Sequence, residues 1–281
     1  MVATVAKIKE IMDDLAPPLL AEEWDNVGLQ IGDPRQSVRR IWVALDPTLQ
    51  VVKAACQKKI DLLITHHPLI FRPLKSIDFD TPAGSIIQMA THHKLAVFSA
   101  HTNLDIVHEG VNDVLAQRLE LQNLSVLKPV QAGQRAQEDI AALSAGEMED
   151  GIGRIGFLAK AGSLRSLVSM AKKRIKLDFV KVVGDLEMKV TQVAICSGSG
   201  SGLMEAFLSS KAQAYISGDI HYHYALEAQS VNRAIIDIGH FPSEHLMVDA
   251  LVQQLENAIS RAGIEAEIMA CTIEKDPFRI I

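Results

Sequence analysis

The fold of this chain is decided by the stretch Asp61-Leu62-Leu63-Ile64-Thr65-His66-His67-Pro68. Its short apolar run, bounded by turn residues, is typical of a buried parallel strand. In open α/β sheets, ligands bind outside the carboxyl ends of the strands. The stretch therefore predicts an α/β fold in which His66 and His67 lie at an edge that binds ligands.

Three further apolar runs end in the same way. Residues 95–99 are followed by His101 and Asp105, residues 214–217 by His221 and His223, and residues 234–238 by His240 and Glu244. Helix-like stretches separate the runs, and this alternation is the signature of a layered α/β protein. If these strand ends converge on one pocket, their imidazoles and carboxylates have the chemistry of a metal site.

The remaining pattern predicts the order of the elements. We expect helices at 2–15, 49–59, 83–93, 110–121, 164–173, 203–210, 224–229 and 243–262. We expect strands at 41–46, 62–65, 95–99, 155–160, 179–183, 190–196, 214–217, 234–238 and 266–271. Residues 129–153, rich in Gly, Ala, Gln and acidic residues, indicate an inter-domain or inserted segment. We therefore predict a first α/β lobe of residues 1–125 plus 240–281 and a second lobe of residues 126–239.

Composition narrows the classes of function. The 281 residues include 48% hydrophobic and 22% charged residues, as in an ordinary globular enzyme. The formal net charge of −6 argues against a broad nucleic-acid surface and leaves room for a local basic pocket. Cys56, Cys196 and Cys271 form neither a CxxC pair nor a disulfide framework, so we expect reduced thiols. Without a signal-peptide pattern or a run of membrane-spanning length, we expect a cytoplasmic protein with no membrane partner.

Each metal-site motif also has a simpler interpretation. His66 and His67 would point to opposite faces of a continuing strand, but Pro68 favours a break after which each could bind its own metal; the alternative is a polar turn. Asp105 could neutralise a cation or cap a helix near residue 110. His240 and Glu244, spaced i, i+4, share one side of a helix start, where capping is the alternative.

Two glycine-rich runs have weaker implications. Ser197-Gly198-Ser199-Gly200-Ser201-Gly202 lies between a predicted strand and helix, the geometry that cradles phosphates on backbone N–H groups. It lacks the GK[ST] ending, and residue 203 breaks the G-x-G-x-x-G pattern. We expect it to serve packing or a substrate anion rather than a nucleotide cofactor. The glycines of residues 151–156 precede a predicted strand, which favours a tight turn.

Taken in order, these motifs resemble the Nif-three-like family of type 2 GTP cyclohydrolase I homologues. The matching segments are residues 24–30 (Trp-Asp-Asn-Val-Gly-Leu-Gln), 65–68, 101–105, 153–156, 198–200, 217–223 and 239–244. The resemblance implies a dinuclear metal centre whose ligands are His66, His67, Asp105, His240 and Glu244. It also implies a two-lobed α/β subunit with the metal site at strand ends between the lobes, and a ring-like, toroidal homohexamer whose sites face an internal cavity. The family often has lysine where this chain has His221, so an anion contact there would be weakened or pH-dependent.

The donor set indicates which metals and reactions to expect. Three imidazoles and two carboxylates suit two ions of zinc, iron, manganese or nickel better than magnesium. Such a centre predicts a metal-dependent hydrolase that acts on a nucleotide or another phosphorylated small molecule. His101, His221 and His223 are candidates for proton transfer beside it. Two alternatives remain: a metal-handling or regulatory binding protein without turnover, and a structural assembly protein in which the metals staple the lobes.

Overall fold

The structure, a computed structural model, describes residues 3–130 and 150–280. In chain order the described elements are α1 Val5–Leu15, β1 Gly28–Ile31, β2 Arg40–Ala44, α2 Leu49–Gln57, β3 Leu62–Thr65, α3 Pro82–His92, β4 Ala96–Ser99, α4 Thr102–Ile106, α5 Val111–Arg118, β5 Gln122–Pro129, β6 Gly151–Ser163, α6 Leu164–Ile175, β7 Lys181–Val183, β8 Lys189–Ser199, α7 Met204–Ser209, β9 Ala214–Gly218, α8 Tyr222–Ser230, β10 Ala234–Asp237, α9 His240–Glu244, α10 Leu246–Arg261 and β11 Glu267–Ala270. Short 3₁₀ turns cover Pro18–Leu20 and Gly200–Leu203. These elements confirm the predicted α/β class.

The elements form two units, one of Met1–Val107 with Met247–Ile281 and one of His108–Leu246. Helix α5 and strand β5 belong to the second unit, where Leu115, Leu119 and Leu121 lie in an apolar cluster with strands β8, β9 and β10. The lobe boundaries proposed above, at residues 125/126 and 239/240, stay a prediction.

The first unit contains a five-stranded mixed sheet in the order β1-β4-β3-β2-β11. Strands β4, β3, β2 and β11 are parallel, and β1 joins the edge antiparallel to β4. Strands β3 and β4 are buried along their whole length, as expected of parallel strands covered on both faces. The register places Ala44, Thr65 and Ser99 in one row. The chain therefore leaves β2, β3 and β4 at the same edge of the sheet.

The second unit contains a six-stranded mixed sheet in the order β5-β6-β8-β9-β10-β7. Strands β8, β9 and β10 are parallel, whereas β5, β6 and β7 pair antiparallel to their neighbours. One apolar cluster contains Val193 and Ile216, and another contains Phe207 and Tyr215. The carboxyl ends of β8, β9 and β10 again share an edge, because Ser199 pairs with Gly218 and Ser217 with Asp237.

A buried ion pair ties helix α5 to strand β6 in this second unit. The Arg154 guanidinium donates from Nε and Nη2 to the two carboxylate oxygens of Asp113, each at 2.7 Å. Its Nη1 donates to the carbonyls of Gly151 and Gly153 at 2.6 and 3.0 Å. Arg154 is fully buried, so these contacts replace the water that its charge would otherwise need.

Several predicted elements differ from the structure. Strands β1 and β5 and helix α4 were not predicted, because they are short or half-exposed and show no apolar run. The glycines of residues 151–156 lie inside strand β6 rather than in a tight turn, with Gly153 at φ +70°. The helix predicted at 243–262 is two helices, α9 and α10, and the first begins at His240. Of the irregular segment, residues 131–149 lie outside the described residues.

Within residues 3–130 and 150–280, no helix combines the length and apolar character that crossing a membrane requires.

Candidate functional site

His66 and His67 follow strand β3 at the point where the chain leaves the sheet. Their backbone N–H groups donate to the carbonyls of Ala44 and Leu45 at 3.3 and 3.0 Å. The Thr65 hydroxyl donates to the His67 carbonyl at 2.8 Å, which fixes the bend after the strand. Because the strand has ended, the two rings do not take opposite faces: their centroids are 5.1 Å apart. Both histidines therefore serve the same edge of the sheet.

His101 and Asp105 reach this edge from the next strand, β4. The His101 ring lies 5.1 and 5.4 Å from those of His66 and His67, measured between centroids. One ligand atom from each of these three histidines can lie within 4.8 Å of the others, close enough to share a metal ion. The buried Asp105 places Oδ1 3.7 Å from His66 Nε2. It lies inside α4, and Gly110 is the N-cap of α5, so Asp105 does not cap that helix.

Every imidazole of this cluster has its Nδ1 on an oxygen acceptor. The acceptors are the Ala100 carbonyl for His66 at 2.9 Å, the Asp46 carboxylate for His67 at 2.8 Å, and the Asp25 carboxylate for His101 at 2.9 Å. Since each oxygen accepts a hydrogen bond from Nδ1–H, the proton of the neutral ring stays on Nδ1 and the lone pair lies on Nε2. This is the arrangement of metal-binding histidines, whose second nitrogen donates to a carboxylate or carbonyl.

Asp25 also belongs to the site. It lies in the segment 24–30 that carries the family resemblance, but the sequence predicted no role for it. Its second oxygen accepts the Thr102 N–H at 3.0 Å and the Thr102 hydroxyl at 2.5 Å. Burial by itself would raise the pKa of Asp25, but the hydrogen bonds from His101 and Thr102 lower that pKa to about 2. The carboxylate is therefore ionised at neutral pH and holds the His101 ring in one orientation.

The second unit carries His240 and Glu244 on α9, immediately after strand β10. His240 Nε2 lies 2.9 Å from Glu244 Oε2, as the i, i+4 spacing predicts, and Glu244 is only 4% exposed. His240 Nδ1 donates to the Asp219 carboxylate at 2.8 Å, and Asp219 follows the neighbouring strand β9. The Nδ1 contact of His240 thus repeats the arrangement seen in the first unit, while its Nε2 faces the Glu244 carboxylate.

The glycine-rich run of the second unit makes room for Glu244. Gly198 has φ +60°, and a Cβ there would lie 2.0 Å from Glu244 Oε1. Its N–H donates to the Ser243 hydroxyl at 2.8 Å, and that hydroxyl donates to the His240 carbonyl at 2.6 Å. Residue 198 must therefore be glycine for α9 to present its carboxylate here. This supports the packing role predicted for the run.

His221 and His223 lie outside these clusters. His221 is the N-cap of α8, with its ring stacked on Tyr224 at a centroid distance of 6.1 Å, and the His223 ring meets that of Tyr222. Both side chains are exposed. The two residues do not lie on one extended segment, because α8 begins at Tyr222, between them. Within the described part of the chain, the groups able to hold a metal ion include neither histidine.

Comparison with known proteins identifies the family. The model of the Duf34/NIF3 family (NGG1p interacting factor 3) matches residues 3–277. The chain belongs to the Duf34/NIF3 family. Within it, a Clostridium acetobutylicum protein described as a GTP cyclohydrolase 1 type 2 homolog is 34% identical over 276 residues, covering 97% of this chain and 98% of that relative.

Solved structures share the fold. A Bacillus cereus protein related to NIF3 matches with a TM-score of 0.90 at 26% identity, over the full length of both chains. A Staphylococcus aureus protein matches with a TM-score of 0.88 at 31% identity, over 99% of each chain. The mixed α/β fold is therefore that of the NIF3 proteins, and this member carries buried His, Asp and Glu clusters that could hold metal ions.

The donor chemistry of these clusters fits such ions. Neutral imidazoles and carboxylates bind zinc, iron, manganese and nickel, whereas an all-oxygen set would favour magnesium. The acceptors on each Nδ1 supply the outer contacts that orient imidazole ligands.

Proposed function

We propose that this Duf34/NIF3 protein is a hydrolase that uses two divalent metal ions and acts on a nucleotide or another phosphorylated small molecule. One observation carries the proposal: the ligand candidates His66, His67 and His240, all at carboxyl ends of parallel strands, each place Nδ1 on an oxygen acceptor and thereby leave Nε2 for a metal ion.

Five residues form the proposed ligand set: His66, His67, Asp105, His240 and Glu244. When the ions are bound, Glu244 would contribute to holding both and Asp105 to holding one. The place of both carboxylates in the ligand set rests on the family resemblance and on their burial, since a nearby positive charge stabilises a buried carboxylate. The set suits zinc, iron, manganese or nickel.

The chain's own residues would orient the reaction. When bound, two such ions supply Lewis acidity and lower the pKa of a water molecule. His101, held through Nδ1 by the ionised Asp25, would accept or donate the transferred proton at Nε2. Asp46 and Asp219 would keep the rings of His67 and His240 in the orientation that ligation needs. His221 and His223 stay candidates for proton transfer, as proposed from the sequence.

We further propose that the protein works in the cytoplasm as a toroidal homohexamer. The support for the assembly is the family resemblance stated from the sequence motifs. The absence of a membrane-spanning helix within residues 3–130 and 150–280 is consistent with that location.

The test of the proposed function is turnover by purified, metal-loaded protein on a panel of nucleotides and other phosphoesters. We expect metal-dependent turnover, and we expect His101→Ala to lower kcat while leaving the metal content nearly unchanged. His92→Ala, an exposed histidine at the end of α3, is the matched control. No turnover on any compound would favour the metal-handling protein instead, and loss of metal in His101→Ala would make His101 a ligand.

A further inference from the structure

Trp24 and Phe71 form an exposed aromatic pair in the first unit. Trp24 is 57% exposed and Phe71 is 48% exposed. Their ring centroids are 5.6 Å apart and the ring planes are inclined by 51°. Exposed aromatic rings placed together on a surface retain a large area for contact with a ligand.

The aromatic pair stands beside His101. The His101 ring centroid lies 6.0 Å from that of Trp24 and 6.3 Å from that of Phe71. His101 in turn belongs to the imidazole group formed with His66 and His67. A molecule that rests on the pair is therefore adjacent to the cluster that carries the proposed chemistry.

The backbone around the pair is fixed by polar contacts. Asn26 Nδ2 donates to the Ile70 carbonyl at 2.6 Å, and the Ile70 N–H donates to Gln30 Oε1 at 3.2 Å. Gln30 Nε2 also donates to the Asn26 carbonyl at 2.8 Å. Asn26 and Gln30 thus hold the segment that precedes Phe71 against the segment that follows Trp24. The pair is positioned without being buried, so its ordering does not have to accompany ligand binding.

We propose that the Trp24–Phe71 pair binds a planar heteroaromatic ring of the substrate, such as the base of a nucleotide. The proposal rests on the proposed function and narrows its substrates to ring-bearing phosphorylated compounds. Stacking on aromatic side chains is how proteins hold bases without reading their edges. Trp24 and Phe71 would therefore select substrates that carry a ring, while the residues of the metal clusters perform the chemistry.

The intrinsic fluorescence of Trp24 tests the contact directly. The chain has two tryptophans, and Trp42 is buried at 3% exposure, so a ligand-induced change reports on Trp24. We expect GMP to quench the emission of the metal-loaded protein and ribose 5-phosphate, which lacks the ring, to leave it unchanged. Equal responses to both compounds would overturn the proposal.

Substitutions give the size of the contact. We expect Trp24→Ala and Phe71→Leu each to weaken GMP binding, measured by calorimetry, by about 5- to 150-fold, the equivalent of about 1–3 kcal/mol for one stacked base. Phe71→Leu keeps an apolar side chain and so separates stacking from general apolar contact. Phe179→Ala, 53% exposed in the second unit, is the matched control. An unchanged Kd in both variants, or a changed molar mass in Trp24→Ala that marks the pair as a subunit contact, would contradict the proposal.

The outcomes separate this proposal from the proposed function. If metal-loaded protein releases phosphate from ribose 5-phosphate but GMP neither binds nor quenches, the ring site is wrong and the hydrolase stands. If GMP binds and Phe71→Leu weakens that binding, but no compound is turned over, the Trp24–Phe71 ring site is supported and the proposed hydrolase function is wrong.

Discussion

At the scale of single residues, each histidine of the candidate site depends on an acceptor that is far away in the sequence. Asp25 holds His101, 76 residues later, and Asp46 holds His67, 21 residues later. Strand-end placement predicted the histidines themselves. It could not predict the acceptors, because neither the loop containing Asp25 nor the end of strand β2 shows which imidazole it meets.

Asp25 predicts an acid-dependent loss of stability. Its folded-state pKa of about 2 lies below the ordinary value of 3.8, so the ionised form stabilises the folded protein above pH 3.8. This contribution, about 2 kcal/mol, is lost as the pH falls from about 4 to 2. We expect Asp25→Asn to lack this part of the pH dependence in urea unfolding measured between pH 5 and pH 2.5. Identical pH profiles for the two proteins would contradict the role of Asp25.

At the scale of elements, the alternation of apolar runs and helix-like stretches predicted the central strands of the sheets well and the edge strands poorly. The bounds of β3 were predicted without error, since a fully buried strand has a continuous apolar run. Strand β5 was not predicted, because its mostly exposed and half-buried residues form no continuous apolar run. The spacing of His240 and Glu244 predicted a helix start, but the helix bound was placed three residues late, at 243, and the division into α9 and α10 was not predicted, because five residues are too short to show periodicity. Helix α9 nevertheless carries both proposed metal ligands of the second unit, His240 and Glu244.

The approach of α9 to strand β8 predicts a strong effect at one glycine. Gly198→Ala would place a Cβ 2.0 Å from Glu244 Oε1 and force a non-glycine residue to φ +60°. We expect lower metal occupancy, measured by elemental analysis. Gly202→Ala is the matched control in the same run, since nothing lies within 4 Å of its added Cβ. A wild-type metal content in Gly198→Ala would show that metal binding does not depend on the space that Gly198 leaves for Glu244.

The ion pair between α5 and β6 predicts a large loss of stability. Arg154→Met removes the guanidinium from the buried Asp113 carboxylate, which then keeps the Glu109 N–H and the His108 ring; loss of one partner costs about 3–5 kcal/mol in comparable buried pairs. Arg165→Met breaks an exposed pair with Glu187 and should cost less than about 1 kcal/mol. Denaturant unfolding measures both. An equal loss of unfolding free energy in the two variants would mean that the Arg154–Asp113 pair does not stabilise the packing of α5 against β6.

At the scale of the whole molecule, the ordered set of motifs predicted more about the protein than any single motif or composition did. Composition and periodicity predicted an α/β protein, and the ordered motifs predicted the family to which the chain belongs. The antiparallel strands that make both sheets mixed could not be predicted, because strand direction depends on partners that a short apolar run does not specify. The lobe boundaries and the ligand roles stay predictions.

The homohexamer is a prediction for the molecule in solution. Light scattering at micromolar concentration should give about six times the mass of one chain. The expectation follows from the family resemblance, since no feature of a single chain reports its assembly. A monomer under these conditions would contradict it.

The central claim is that two metal ions bind to His66, His67, Asp105, His240 and Glu244, and metal content per chain tests it most directly. Elemental analysis of metal-loaded protein should give two ions in the wild type. It should give about one in Asp105→Ala, and none in Glu244→Ala, because a carboxylate shared by both ions supports both. Glu227→Ala, an exposed carboxylate on α8, should retain two. Two ions in Glu244→Ala, or none in the wild type, would contradict the account.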